Sequence, residues 1–316
     1  MKAERIGQAV IAPIPAHAWE SRATFNPGAI RDGDVVHMLY RAVEGQNCST
    51  IGYAKLDLRG RVMERRSDPA ISRERPEESK GVEDPRIVKL DGRYYVFYTA
   101  YDSKVARVAL ASTTDFARFR KHGPIGPDPQ LLLRTLNLRW DKDAMVFPER
   151  IGGKVLYIHR IEPSVQFAAF DSIDQLIHPP PGYWEKHLQD IDKHTVLRPK
   201  FEWEKQKVGA GPPPIRTDDG WLLIYHGVDR GSVYRAGAAL LDLENPTRVL
   251  GRLPCPLLEP EREYEKVGDV PNVTFPEGAV VVEDDLLIYY GAADKVVGLA
   301  RIGLGDLLAE LKRHKV

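Results

Sequence analysis

An aromatic-rich apolar strand that ends in a short polar cluster, followed after a turn by a second apolar strand, recurs five times along this chain. The copies begin at Val35 (VVHMLYRAV, then IGYAKLDL), Tyr94 (YYVFYTAYD, then RVALASTTDF), Val155 (VLYIHRIEPS, then QFAAFDS), Trp221 (WLLIYHGVD, then YRAGAALLDL) and Leu286 (LLIYYGAAD, then VVGLARIGL), about 60 to 66 residues apart. Period-two alternation in β-branched and aromatic residues makes these hairpin strands, not helices. A unit of this size cannot bury its own apolar faces and must stack on its neighbours. Four-stranded units repeated radially give a β-propeller, and five is within the usual range of blades. The expected fold is all-β, a five-bladed β-propeller, with a two-sheet sandwich as the alternative. The last residues, DLLAELKRHKV from Asp306, predict a short C-terminal helix with Leu307, Leu308 and Leu311 on one face and an acidic N-cap. It is expected to pack on the outside of the propeller, and it could also join subunits of a homo-oligomer.

Nothing divides the chain. Its 316 residues, 43% of them hydrophobic, suit one large domain over 1–316, because all-β folds often pass the usual domain size without splitting. The Pro-rich stretches 178–182 and 211–214 read as rigid turns between blades. With 45 acidic and 45 basic residues the formal net charge is zero, which removes the general attraction that nucleic-acid or acidic-membrane binders show. Cys48 and Cys255 form no CxxC, and the histidines show no ligand spacing, so neither a disulfide framework nor a metal is expected. The N-terminus has only a brief apolar run broken by Pro13 and Pro15, too short for a signal or a membrane span, and the expected location is cytoplasmic.

Aligning the copies on their strand ends puts Arg41, Thr99, Arg160, His226 and Gly291 at equivalent positions, with Glu44, Asp102, Glu162, Asp229 and Asp294 a few residues later. In a propeller, equivalent positions surround the axis, so these groups would converge on a polar pocket at one end of the channel. Two arginines and a histidine aimed at one point need an anion or nearby carboxylates to balance them. The alternative is that each simply pairs with the acid beside it. Between the first two copies, Lys80-Gly81-Val82-Glu83-Asp84-Pro85-Arg86 runs into IVKLDGRYYVFY. Glu83 and Asp84 could put one carboxyl in the pocket and the other against Arg86 or backbone donors, a pairing that separates an acid from an ionised role. Equally, Asp before Pro marks an Asx-type turn.

These motifs also resemble a known family. GVEDPRI followed by DGRYYVFYTAYD, then KDAMVFPERIGGK and HRIEPS, then KVGAGPPPI, GWLLIYHGVD and YRAGAALLDLENP, then GDVPNVTFPEGA and YYGAAD, closely resemble glycoside hydrolase family 130 from Asn26-Pro27 to about Arg301. The resemblance implies a five-bladed propeller and an inverting phosphorylase that splits β-mannosides, β-1,4- or β-1,2-linked, with inorganic phosphate to release α-mannose 1-phosphate. A minority of the family are hydrolases. It implies that Asp84 is the general acid, acting through the mannosyl 3-hydroxyl, and that Asn26, Arg41 and Asp294 hold the mannosyl ring. Arg160, Lys207, His226 and Tyr234 match the phosphate-binding set, which favours phosphorolysis over hydrolysis. Glu83, Lys142 and Asp143 are further candidates for the site. No cofactor is implied, phosphate being a co-substrate; the partners are a small oligosaccharide and phosphate, not nucleic acid or membrane.

An inverting displacement needs an acid on the leaving-group side and a nucleophile on the opposite face of the sugar. Phosphate is already anionic and needs cations and donors to hold it in line, not a base. A hydrolase would instead need a carboxylate base such as Glu149 or Glu162, and a third reading is a non-catalytic binding platform. Two segments depart from the family pattern, residues 118–140 with the following Trp140-Asp141-Lys142-Asp143, and residues 179–200 with Trp184, His187 and His194. They are expected to shape the acceptor side. Tyr183 and Trp184 there could stack on a sugar face or pack the loop.

Overall fold

A computed structural model describes residues 1–316, and the protein is mainly β. Each of the five repeated strand pairs is an antiparallel hairpin: Val35–Val43 with Ser49–Asp57, Arg93–Tyr101 with Ala106–Thr113, Val155–Ile161 with Ser164–Phe170, Gly220–Val228 with Tyr234–Leu241, and Asp285–Ala292 with Val296–Gly303. A further strand precedes each hairpin and pairs with its first member: Ala23–Asp32, Gly81–Leu90, Lys142–Val146, Lys207–Ala210 and Thr274–Val282. A fourth strand closes each unit on the far side. In the fifth unit that strand is Glu4–Arg5, from the other end of the chain, so both termini share one sheet. The first two units are joined into one eight-stranded sheet only by the parallel pair Ser49 and Gly81.

The preceding strands lie side by side. Ala23–Asp32 contacts both Gly81–Leu90 and Thr274–Val282, while Lys142–Val146 contacts Gly81–Leu90 and Lys207–Ala210. The apolar clusters sit between units and draw on both neighbours: one joins Leu39 and Ile51 to Val96 and Tyr98, another joins Met38 and Ala54 to Leu287 and Tyr289. No unit therefore buries its faces alone, which is the packing the repeat demands.

A buried clasp recurs in four units. The tyrosine that closes the apolar run donates to a glutamate ahead of the unit's first strand, and a cation seals the pair. These are Tyr40, Glu20 and Arg65; Tyr98, Glu78 and Lys121; Tyr225, Glu204 and Arg252; Tyr290, Glu265 and Arg5, with tyrosine-to-carboxylate distances of 2.9, 2.8, 2.9 and 2.7 Å. In the third unit His159 takes the tyrosine position. Its Nδ1 lies 3.0 Å from Asp141 and its Nε2 lies 3.2 Å from His187.

Neither Pro-rich stretch lies between units, contrary to expectation. Residues 178–182 link the helices Ile173–Ile177 and Tyr183–Gln189 inside the third unit. Residues 211–214 interrupt a strand of the fourth, since Lys207–Ala210 and Ile215–Thr217 both pair with Gly220–Val228. Proline has no N–H to give the ladder, so the strand breaks where three stand together. The C-terminal helix spans Leu304–Arg313, begins at Gly303 without a side-chain cap, and buries Leu307, Leu308 and Leu311 against the fourth and fifth units. Its apolar face is thus used within the chain. No helix is long and apolar enough to cross a membrane.

Candidate active site

Breaks in strand register build the site. Between the first and second strands of four units, pairing skips from Phe25 to Pro27, Glu83 to Arg86, Lys142 to Met145 and Pro276 to Gly278. The extra residues include Asn26, Asp84, Asp143 and Glu277. Asn26, Asp84 and Asp143 have φ of 47°, 53° and 52°, a left-handed backbone that short polar side chains tolerate best. Such a bulge re-aims one side chain out of the pleat, and a following proline loses no ladder bond there. The sequences FNPGA, EDPRI and KDAMV therefore deliver one polar group from each of three units to the same place, while Glu277 of FPEGA ends beneath it.

That place is a cavity of about 220 Å³. It is lined by Asn26, Arg41, Asp84, Lys142, Asp143, Arg160, Glu162, Lys207, Tyr234 and Asp294, with Trp140, Val270, Val273 and Phe275 completing the wall. Asn26 donates to Asp84 Oδ1 at 2.8 Å, and Arg41 approaches the same oxygen at 3.4 Å. Arg160 Nε lies 3.0 Å from Asp143 Oδ2, while Lys207 Nζ lies 2.8 Å from Glu162. Two glycines make room for these groups: a side chain at Gly291 would collide with Asn26, and one at Gly209 with Asp143 and His226.

Nine of the eleven residues singled out in the sequence line this cavity; Glu83 and His226 do not. Glu83 turns to Arg41 at 2.8 Å and to Ser49, not to Arg86, whose guanidinium is taken up by Asp143, Glu277 and the Ala210 and Gly211 carbonyls. His226 is fully buried behind the wall, 3.7 Å from Asp143 and against Phe275. Burial drives its imidazole down to about 3 despite Asp143, with Arg160 and Arg86 adding to the fall, so it is neutral at pH 7. Of the acids aligned at strand ends, only Glu162 and Asp294 reach the cavity; Glu44, Asp102 and Asp229 pair with Arg73, Arg107 and Arg235. Glu149 is half-exposed beside Arg216, away from the site. Trp184 is buried in the core, and Tyr183 hydrogen-bonds the Ala169 backbone, so both pack their loop.

Beneath the cavity lies a pair that sequence reasoning missed. Arg86 donates to the carbonyls of Asp84, Ala210 and Gly211 and to Asp143, and its Nη1 lies 2.6 Å from Glu277. It thereby ties bulges of several units together. Burial pushes the Glu277 carboxyl well above its usual range, against the pull of Arg86. The signal was partial: FPEGA follows the pattern of FNPGA, but in the aligned motifs Glu277 takes the place of Pro27 and Pro85, one residue after Asn26 and Asp84.

The lining holds four cations, Arg41, Lys142, Arg160 and Lys207, and four carboxylates, Asp84, Asp143, Glu162 and Asp294. Burial pushes Asp84 and Asp143 upward, but the cations outweigh it: Arg41 and Lys142 for Asp84, Arg160 and Arg86 for Asp143, both ending low. Asp294 goes the other way. Burial, aided by the negative charge of Asp84, lifts it to about 6 in spite of Arg41. No group of three or more His, Cys, Asp or Glu side chains is arranged to hold a metal ion.

Residues 7–313 match the family model described as β-1,4-mannooligosaccharide phosphorylase. The chain belongs to glycoside hydrolase family 130. Among its relatives in this family, 1,2-β-oligomannan phosphorylase of Thermoanaerobacter sp. (strain X514) is 38% identical over 94% of this chain and 96% of its own. β-1,2-Mannobiose phosphorylase of the same strain is 37% identical, covering 93% and 94%. The solved structure of β-1,2-mannobiose phosphorylase from Listeria innocua, in complex with β-1,2-mannobiose, matches with a TM-score of 0.82 over 99% of this chain and all of that one. At 24% identity that likeness speaks for the fold.

Proposed function

We propose that this protein is a mannoside phosphorylase: it cleaves β-mannosides with inorganic phosphate, with inversion, to give α-mannose 1-phosphate and a shortened sugar. The observation that carries the reading is one cavity with a buried acid, Asp84, in one part of its wall and two cations, Arg160 and Lys207, with Tyr234 in another. Asn26, Arg41 and Asp294 hold the mannosyl ring in this reading, and Asp84 protonates the leaving oxygen. Phosphate sits across the anomeric carbon from it, held by Arg160, Lys207 and Tyr234, while neutral His226 packs behind Asp143. Lys142 and Asp143 flank the phosphate.

Charge balance supplies the acid. In the free site the four lining cations are equalled in number by four carboxylates, so an arriving phosphate adds uncompensated negative charge. Like charge raises a carboxyl pKa, and Asp84 is the group that takes up the proton. Phosphate and sugar together thus convert Asp84 from the ionised form of the free enzyme into the acid the reaction needs. In the same reading the chain is one catalytic domain, a propeller of five blades closed by strand Glu4–Arg5.

Incubating the protein with β-1,2- and β-1,4-mannobiose, with and without phosphate, tests this. Mannose 1-phosphate should appear only with phosphate. A second reading, hydrolysis, draws on Glu162, whose carboxylate lines the same cavity and could activate water; it requires equal turnover in phosphate-free buffer.

A further inference from the structure

We propose that Trp140 is the platform on which the leaving-group sugar stacks, and so the residue that sets affinity for the acceptor; the inference rests on the reading of this cavity as a β-mannoside site. Trp140 is 47% exposed and Val270 40% exposed, and both belong to the cavity wall. The rest of the lining is mostly charged and suited to the mannosyl ring and an anion. The two exposed apolar groups mark the mouth, where the remainder of an oligosaccharide must leave.

An exposed tryptophan on a flexible loop would carry little meaning, but this one is held in place. Leu138 packs against the core on one side, and on the other Asp141 is 3% exposed and bound to His159 at 3.0 Å. Lys142 Nζ then lies 5.9 Å from the indole centroid, fixing the ring beside the polar floor. The chain pins both flanks and leaves the ring facing solvent, which forgoes the burial such a large apolar group normally gains. A hexopyranose has one face of C–H groups that can recover it. Pockets for small ligands combine such an apolar wall with a few polar groups that fix orientation. The partner implied is a pyranose acceptor, mannose in the first instance, bound by its face and not by a second set of charges.

Because the ring packs little, Trp140→Ala and Trp140→Phe should fold as the wild type does. The test titrates β-1,2-mannobiose by calorimetry into Asp84→Asn, which binds without turnover, and into Asp84→Asn carrying Trp140→Ala or Trp140→Phe. We expect Kd to rise about tenfold with alanine and to return within about threefold with phenylalanine, while affinity for mannose alone in the mannosyl pocket changes less than twofold. In synthesis from α-mannose 1-phosphate and mannose, Trp140→Ala should raise KM for mannose about tenfold and leave that for the donor unchanged. An unaltered mannobiose Kd overturns the inference. If instead the wild type forms no sugar 1-phosphate, the phosphorylase reading fails while the calorimetric comparison still decides the role of Trp140.

Discussion

Asn26 Nδ2 donates to Asp84 Oδ1 at 2.8 Å, and the two residues sit on register breaks of adjacent units with the same left-handed backbone. The donor therefore fixes which oxygen of Asp84 is occupied and leaves the other toward the cavity. Neither residue could be placed this way by regular strand geometry.

If Asp84 is the acid, Asp84→Asn should lower kcat by about 10²- to 10⁴-fold, the usual contribution of a positioned proton donor. The asparagine keeps the shape and the bond geometry, so mannoside binding should persist. Steady-state rates and a binding titration check both halves. A variant with near-normal kcat would remove Asp84 from the chemistry.

Phosphate binding should take up protons. Repeating calorimetric phosphate titrations near pH 7 in buffers of different ionisation enthalpy gives the number directly, and a positive uptake is expected. Net release, beyond what phosphate itself contributes, would mean that Asp84 is not protonated when its ligand binds.

Asp294, lifted to about 6, predicts a pH response with a definite sign. Its folded-state pKa lies above the unfolded one, so its contribution to stability is present below the unfolded pKa and fades as pH rises through about 6. Relative to Asp294→Asn, the wild type should gain melting temperature as pH falls from 7 toward 4. Sugar binding should move the opposite way, since a protonated Asp294 accepts fewer hydroxyl hydrogen bonds: KM for mannoside should rise below pH 6 in the wild type and stay flat in the variant. Parallel pH profiles for the two proteins would contradict this.

The buried clasps predict stability. Glu204 is fully buried and Arg252 nearly so, with the pair 2.6 Å apart. Glu204→Ala leaves the arginine and Tyr225 without their carboxylate, and loss of one partner of a buried ion pair costs about 3–5 kcal/mol. Urea unfolding of this variant measures it. A loss below about 1 kcal/mol would mean that solvent reaches the clasp.

The five hairpins were readable because period-two alternation in aromatic and β-branched residues is a local signal. Arg41 and Asp294 stood out in the aligned strand ends and Asp84 in the acid pair before Pro85, while Asn26 came from the family resemblance alone. The role of register breaks was not readable, because a bulge shows in one sequence only as an Asn-Pro or Asp-Pro that could equally be a turn. The family resemblance put His226 in the phosphate-binding set, and only packing shows it buried behind Asp143. The clasp glutamates stand in WESRATF, PEESKGV and FEWEKQK, yet the tyrosines and cations they meet lie 20 to 48 residues away, and in the fifth unit Arg5 lies 260 from Glu265, so no local period joins them. Trp140 was noted only as a departure, and Trp184, more prominent among the Pro-rich turns, turned out to be core.

If Arg160 and Lys207 seat phosphate opposite Asp84, their loss should show in the phosphate dependence of β-mannoside cleavage by Arg160→Ala and Lys207→Ala. KM for phosphate should rise at least tenfold in each while KM for the mannoside moves less than threefold. Phosphate dependence equal to that of the wild type in both variants would contradict the account.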